Sequence, residues 1–212
     1  MLKGKKIVLG VTGGIAVYKA VDLVSKLRKQ GAEVRVVMTE HAQQFVTPLT
    51  FKEISGNKVA VSMWNANQEF NVEHIALADW ADLFMVVPAT ANIIAKMAYG
   101  IADDLLSTTL LAAHSPVIVC PAMNTHMYEK PATQENIAKI KSRGIVVMPP
   151  ASGVLACGAV GAGRLPEPAD IVNFVKNFFA KTEGDMRGLK VLVTAAGTRE
   201  PIDPVRYVGN RS

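Results

Sequence analysis

The sequence predicts an α/β protein built on an open parallel sheet with helices on both faces. Three observations carry that expectation. Short apolar segments suited to buried strands alternate with longer segments of helical periodicity, as in βαβ repeats. Two of those strands end alike: Leu83-Phe84-Met85-Val86-Val87 runs into Pro88-Ala89-Thr90-Ala91-Asn92, and Val117-Ile118-Val119-Cys120 into Pro121-Ala122-Met123-Asn124. Each stops where proline can no longer donate to a sheet ladder, then presents an asparagine. Thirdly, the pair Gly13-Gly14 sits between the first strand and the first helix. The pattern is Rossmann-like, and in such sheets ligands bind outside the carboxyl ends of the strands, where both Pro-Ala edges lie.

In chain order, Lys6 to Val11 reads as a strand and Thr12-Gly13-Gly14 as the turn into a helix from Ile15 to about Gln30. Its apolar Val17, Val21, Val24 and Leu27 recur at steps of four and three, and Gly31 is placed to end it in the left-handed conformation. Glu33 to Met38 follows as a second strand, completing a βαβ unit whose crossover should be right-handed. His41 to Phe45 and Pro48 to Ser55 read as short helices, Lys58 to Ser62 as a short strand, and Asn65 to Asn71 as an amide-rich surface loop. Val72-Glu73-His74 opens a helix through Trp80, ahead of the strand at Leu83. Helices over Asn92 to Tyr99 and Asp103 to Ala113 precede the strand at Val117.

Gln134 to Arg143 reads as a helix closed by Gly144, and Ile145 to Met148 as a strand stopped by Pro149-Pro150. From Ala151 to Pro166, five residues in sixteen are Gly or Pro and no apolar period survives, which predicts a long, mobile loop. Asp170 to Lys181 is a last amphipathic helix. Residues 1–182 thus form one expected domain, 183–188 a linker, and 189–212 the start of another, whose strand Leu189 to Thr194 echoes the one at Lys6. So short a remainder, against ~100 residues for a typical domain, predicts the front part of a longer protein.

Composition narrows the function classes. The net charge of +5 is spread along the chain in ones and twos, without basic runs interleaved with aromatics, which argues against nucleic acid. No stretch reaches the ~18 apolar residues of a membrane span. Met1 to Lys6 leads straight into a strand rather than a signal peptide, so a cytoplasmic protein is expected. Cys120 and Cys157 form no CxxC pair, in keeping with a reducing compartment. No Cys/His cluster has metal-ligand spacing, so no metal site is expected.

Five segments carry candidate chemistry. Backbone N–H groups of Gly10-Val11-Thr12-Gly13-Gly14-Ile15 and the helix amino end can cradle a phosphate, although a plain tight turn would look the same. The glycine spacing is not that of the dinucleotide fingerprint, despite Glu40 near the position of its ribose-binding acid; a mononucleotide such as FMN needs only one such anchor. The two Pro-Ala edges offer Thr90, Asn92 and Asn124, as ligand contacts or as helix caps. His74 opens a helix, where desolvation and the helix dipole favour a neutral imidazole able to act as a base; a lone histidine also serves structurally. Cys157 lies among small residues with little packing to offer, which favours reactivity or proton transfer, in a segment ending at Arg164 that can close over a ligand.

Together, Gly13-Gly14-Ile15-Ala16, His74, Pro88-Ala89-Thr90-Ala91-Asn92, Pro121-Ala122-Met123-Asn124 and Ala156-Cys157-Gly158 resemble the FMN-dependent cysteine decarboxylases. The resemblance is strongest to those joined to a ligase in the bifunctional phosphopantothenoylcysteine decarboxylase/phosphopantothenate–cysteine ligases of coenzyme A synthesis. It runs nearly end to end, and Val193 to Ser212 is similar to the opening of the ligase domain. Mg and CTP would serve that domain only in a full-length protein, so ligase activity is not expected here.

The resemblance implies a flavoprotein fold, FMN as cofactor, and conversion of 4′-phosphopantothenoylcysteine to 4′-phosphopantetheine by oxidation to a thioaldehyde, loss of CO2 and re-reduction of the enethiol. It implies His74 as active-site base, Cys157 as proton donor, and Asn124 as carboxylate ligand, with Met123, Ala122 and Arg164 around the substrate. It implies Gly13, Gly14 and Ile15 as the FMN phosphate loop, and Thr39, Thr90, Ala91 and Asn92 as further FMN contacts. Ala159 departs from the acidic residue many relatives carry. Homotrimers, which often build homododecamers with flavin sites between subunits, are implied as well. Two other readings share the resemblance. A peptidyl-cysteine decarboxylase or flavin prenyltransferase is opposed by the ligase-like tail, and a non-catalytic FMN-binding regulatory subunit by the joint presence of His74, Asn124 and Cys157.

Overall fold

A computed structural model of the chain describes residues 2–64, 73–154 and 160–183 and, in the tail, 190, 192, 199–202 and 205–209. It divides into two compact units, 1–177 and 178–212.

The first unit opens with β1 (Lys6–Val11), which leads through the glycine turn into α1 (Val17–Lys29) and β2 (Glu33–Met38). Two short helices follow, α2 (Glu40–Gln43) and α3 (Pro48–Ser55), then α4 (Glu73–Trp80) and β3 (Leu83–Ala89). Beyond them come α5 (Ala91–Tyr99), α6 (Leu105–Ala112), β4 (Val117–Pro121), α7 (Thr125–Glu129), α8 (Pro131–Ser142) and β5 (Val146–Val147). These five strands form one parallel sheet in the order β2-β1-β3-β4-β5. Every residue of β3 is buried, as expected of a strand covered on both faces. The chain steps from β1 outward to β2, then back across to β3 and on to β5, so right-handed crossovers put helices on opposite faces. Accordingly α5 packs on α6 and α8, and α4 on α6, whereas α3, early in the connection from β2 to β3, packs back on α1.

Several element boundaries differ from the sequence reading because of capping. The Thr90 hydroxyl accepts from the Ile93 amide, so α5 begins at Ala91. Asp104 and Ser107 form a reciprocal capping box, which moves the start of α6 to Leu105. Pro131, at the first turn of α8, starts that helix three residues earlier than Gln134, and the short α7 was not expected at all. Lys58 to Ser62 is not a strand: it touches the sheet through a single parallel bridge, Ala60 to Val37. The segment from Ala151 is not irregular throughout. β6 (Ala151–Val154) and β7 (Val160–Arg164) pair antiparallel, with Ser152 opposite Ala162 and Gly153 opposite Gly161. Strands of glycine and alanine carry no apolar alternation, so their pairing left no period to read.

α9 (Pro168–Glu183) contains the division between the two units and takes in the first residue of the expected linker. In the second unit the rings of Phe178 and Phe179 meet edge-on at 5.8 Å, and β8 (Arg199–Pro201) pairs antiparallel with β9 (Tyr207–Gly209). Residues 184–189 and most of the expected strand from Leu189 to Thr194 lie outside the described residues, as does the amide-rich loop at Asn65. Among the described residues no helix is long and apolar enough to cross a membrane.

Candidate functional site

The order β2-β1-β3-β4-β5 reverses direction between β1 and β3, and doubly wound sheets bind ligands outside the carboxyl ends of the strands at that switch point. One buried hydroxyl joins the two strand ends. Thr12 Oγ1 donates to the Pro88 carbonyl at 2.7 Å and accepts from the Thr90 amide at 3.1 Å. The next edge is tied in by the Ala122 amide, which donates to the Ala89 carbonyl at 2.9 Å.

A cavity of about 670 Å³ opens over these edges. Gly13, Gly14, Ile15, Tyr18 and Lys19 line it from the β1–α1 junction, and Pro88, Thr90 and Ala91 from the end of β3. Ala122, Met123, Asn124 and Met127 line it beyond β4, and Gly163, Arg164 and Leu165 close the remaining side from β7 and its exit. The junction needs glycine at position 13, where a Cβ would lie 2.5 Å from the His41 Cβ and 2.8 Å from the His41 carbonyl carbon. That lets α2 pack directly beneath the loop. Gly163 has φ +123°, a region that favours glycine, and a Cβ there would collide with the Met123 carbonyl oxygen. The Met123 amide donates to the Gly163 carbonyl at 3.0 Å, fastening β7 to the Asn124 loop. Asn124 itself caps α7 through Oδ1, which accepts from the His126 amide at 2.9 Å.

Charge at the cavity is concentrated on its β7 side. Lys19 Nζ and Arg164 Nη2 both donate to Glu167 Oε1, at 2.9 and 2.5 Å. The Lys19 hydrogen bond, opposed by burial and reinforced by the Lys19 and Arg164 charges, holds the Glu167 carboxyl below the usual range.

The structure therefore gathers Gly13, Gly14, Ile15, Thr90, Ala91, Ala122, Met123, Asn124 and Arg164 around one cavity. Three other expected site residues do not line it. Thr39 spends its hydroxyl capping α2 by accepting from Ala42, Asn92 points outward from the first turn of α5 as an exposed residue, and His74 sits half-buried in the first turn of α4. Cys157 lies outside the described residues. The role of the Thr12 hydroxyl, and Tyr18, Lys19, Met127 and Leu165 altogether, were missed by the sequence reading, which took Thr12 only as part of the glycine loop's backbone. Tyr18 follows Ile15, and Met127 follows Asn124, at a helical step of three; Lys19 interrupts an otherwise apolar buried face of α1. Those were the available signals. Among the described residues no group of His, Cys, Asp and Glu is arranged to hold a metal ion.

Comparison with known proteins agrees with this architecture. Residues 1–180 match the Flavoprotein family, and residues 186–212 match the DNA/pantothenate metabolism flavoprotein C-terminal domain. The chain is 49% identical over 211 residues to the coenzyme A biosynthesis bifunctional protein CoaBC of Haemophilus influenzae, a match covering 100% of this chain and 52% of that protein. It thus spans about half the length of the curated relatives it matches. Among solved structures, a mutant PPC decarboxylase complexed with pantothenoylaminoethenethiol superposes with a TM-score of 0.73 at 31% identity, over 84% of this chain and 99% of that one. The FMN-dependent cysteine decarboxylase SpaF gives 0.73 at 31% identity over 85% and 99%. With its five parallel strands, its switch-point cavity and a match over residues 1–180, the chain belongs to the Flavoprotein family.

Proposed function

We propose that this chain binds FMN at the switch point and catalyses decarboxylation of 4′-phosphopantothenoylcysteine to 4′-phosphopantetheine in coenzyme A synthesis. The observation that carries the reading is the single cavity lined on one side by Gly13, Gly14, Thr90 and Ala91 and on the other by Ala122, Met123, Asn124 and Arg164.

The residues present suit FMN. A volume of about 670 Å³ falls within the ~300–1,000 Å³ usual for small-molecule and cofactor sites. The amino end of α1 has neither a side-chain cap nor an acidic residue in its first turn, which leaves its positive end to a phosphate. Beside Gly14 the nearest heavy atom to a Cβ position is 4.0 Å away, so the backbone there is open to close approach. Ile15 and Ala91 supply apolar wall for a flat ring system, and Thr90 a polar group.

When bound, FMN supplies reversible hydride acceptance at the carbon bearing the substrate thiol. The chain's own residues position and protonate. Asn124 orients the substrate carboxylate by its amide, without neutralising the charge that must leave as CO2. Ala122, Met123 and Arg164 complete that side of the pocket, Cys157 returns a proton to the enethiolate, and His74 acts as base. Because His74 does not line its own chain's cavity, we assign it to the cavity of a neighbouring copy in a homotrimer able to build a dodecamer. In support, Ile15 and Tyr18 at the cavity mouth are 63% and 61% exposed, large apolar side chains for a second subunit to cover. Thr39 and Asn92 are assigned as outer FMN contacts by the same resemblance. Residues 1–182 form the decarboxylase domain of a cytoplasmic enzyme, 183–188 the linker, and 189–212 the opening of the ligase domain, with no role for nucleic acid or membrane.

The test is flavin uptake by the purified protein, followed by its absorption spectrum. Stoichiometric FMN binding is expected, and a protein that takes up none on reconstitution removes the reading. FMN binding with no turnover of the substrate would favour the regulatory-subunit reading instead.

A further inference from the structure

Beyond the assigned residues, the tightest polar cluster at the cavity is built on Lys19. This lysine lies in the first turn of α1 and is only 7% exposed. Its Nζ donates to the Leu165 carbonyl at 3.1 Å and to Glu167 Oε1 at 2.9 Å, across 146 and 148 residues of sequence. Burying an ammonium group is costly unless it is well paired, and an apolar residue at that helix position would satisfy packing alone. The charge therefore serves the partners it reaches.

Those partners form the exit of β7. Leu165 is 2% exposed, and Glu167 is also held by Arg164. Two residues back, the Gly163 carbonyl accepts from the Met123 amide, and the Met123 carbonyl sits against the Gly163 backbone. A connected path thus runs from α1 through Lys19 to Leu165 and Glu167, along β7 to Gly163, and across to Met123 and Asn124. Its two ends are opposite walls of one cavity.

We infer that Lys19 is a positioning residue: by clamping the exit of β7 to α1, it sets the spacing between the glycine loop and the Met123–Asn124 wall. The structural part stands on geometry alone; its consequence for substrate capture rests on the decarboxylase reading. Loosening the clamp moves the Asn124 wall, while the flavin side, held by Thr12 and Thr90, stays in place.

The test compares Lys19→Met, Lys19→Arg, Glu167→Gln and the double variant Lys19→Met/Glu167→Gln. Hydrogen exchange on the flavin-free protein reads the clamp directly. Lys19→Met should speed exchange of the Met123 amide by about tenfold, the scale of one lost hydrogen bond to a charged group, with Lys19→Arg restoring most of the protection. In the FMN-loaded protein, Lys19→Met should raise KM for 4′-phosphopantothenoylcysteine about tenfold while FMN affinity moves less than about threefold. The double variant should be no worse than the more impaired single variant. Unchanged exchange at Met123 in both Lys19→Met and Glu167→Gln would overturn the inference, as would losses that multiply in the double variant. Should the wild-type protein bind no FMN or release no CO2, the exchange comparison still decides the clamp, and only the functional reading falls. If Lys19→Met does not fold, Glu167→Gln carries the same exchange comparison.

Discussion

Thr12 and Thr90, 78 residues apart, share one hydrogen bond at the switch point: the Thr90 amide donates to the Thr12 hydroxyl, which in turn donates to the Pro88 carbonyl. A single buried side chain thereby satisfies one donor and one acceptor at the ends of adjacent strands, and makes the glycine loop and the start of α5 one rigid edge. Thr12→Val keeps the shape but leaves both backbone groups unpaired, so it should cost about 1–3 kcal/mol of stability. FMN affinity should fall with it, and Thr12→Ser should recover both. Denaturant unfolding and flavin titration of the two variants measure this directly; wild-type behaviour of Thr12→Val would separate Thr12 from the site.

Adjacent glycines should respond in opposite ways. Gly13→Ala places a methyl against the His41 backbone and should destabilise the fold by about 1–3 kcal/mol through overpacking. Gly14→Ala meets nothing nearer than Thr90 Cγ2 at 4.0 Å, so the fold should tolerate it to within about 0.5 kcal/mol. Its methyl instead faces the cavity and should weaken FMN binding. Urea midpoints and FMN dissociation constants for the pair distinguish a packing role from a cofactor role.

Asn124 caps α7 and is proposed to hold the substrate carboxylate, and the two roles can be separated. Aspartate caps helices as well as asparagine does, so Asn124→Asp should leave stability near wild type. It also sets a negative charge against the substrate carboxylate. The kcat/KM for decarboxylation should fall about 100-fold, the scale of a misplaced reacting group, with FMN affinity retained. Equal turnover by Asn124→Asp would place the carboxylate elsewhere.

Asp104 supplies a pH signature away from the cavity. Its carboxylate accepts from the Ser107 amide at 2.8 Å and from Lys96 at 2.7 Å. Burial works to raise its pKa but is outweighed by these hydrogen bonds and the Lys96 charge, so the net shift is downward. A folded-state value below the unfolded one means that the contribution is complete above the ordinary carboxylate pKa of about 3.9 and is lost as pH falls through the folded value. Asp104→Ala should cost about 0.5–2 kcal/mol at neutral pH, as a lost cap, and should flatten the acid limb of stability measured against pH.

The central strands were legible because β3 and β4 are short, continuous apolar runs; both take in the proline expected to stop them, β3 running to Ala89 and β4 to Pro121, and both Pro-Ala edges border the same cavity. Helix starts were less legible, since caps such as Thr90 and Asp104 fix them by side-chain bonds that period alone does not report. The β6–β7 hairpin was hidden because its strands are held by backbone pairing rather than by large side chains. The Thr12 hydroxyl and Lys19 were missed for a related reason. Their partners, Pro88, Leu165 and Glu167, are remote in sequence, and only the fold brings them within hydrogen-bond reach.

The most direct measurement is product analysis after mixing the FMN-loaded protein with 4′-phosphopantothenoylcysteine. Equimolar CO2 and 4′-phosphopantetheine are expected, with none from flavin-free protein. Untouched substrate in the presence of fully bound FMN would contradict the assignment of decarboxylase activity to this chain.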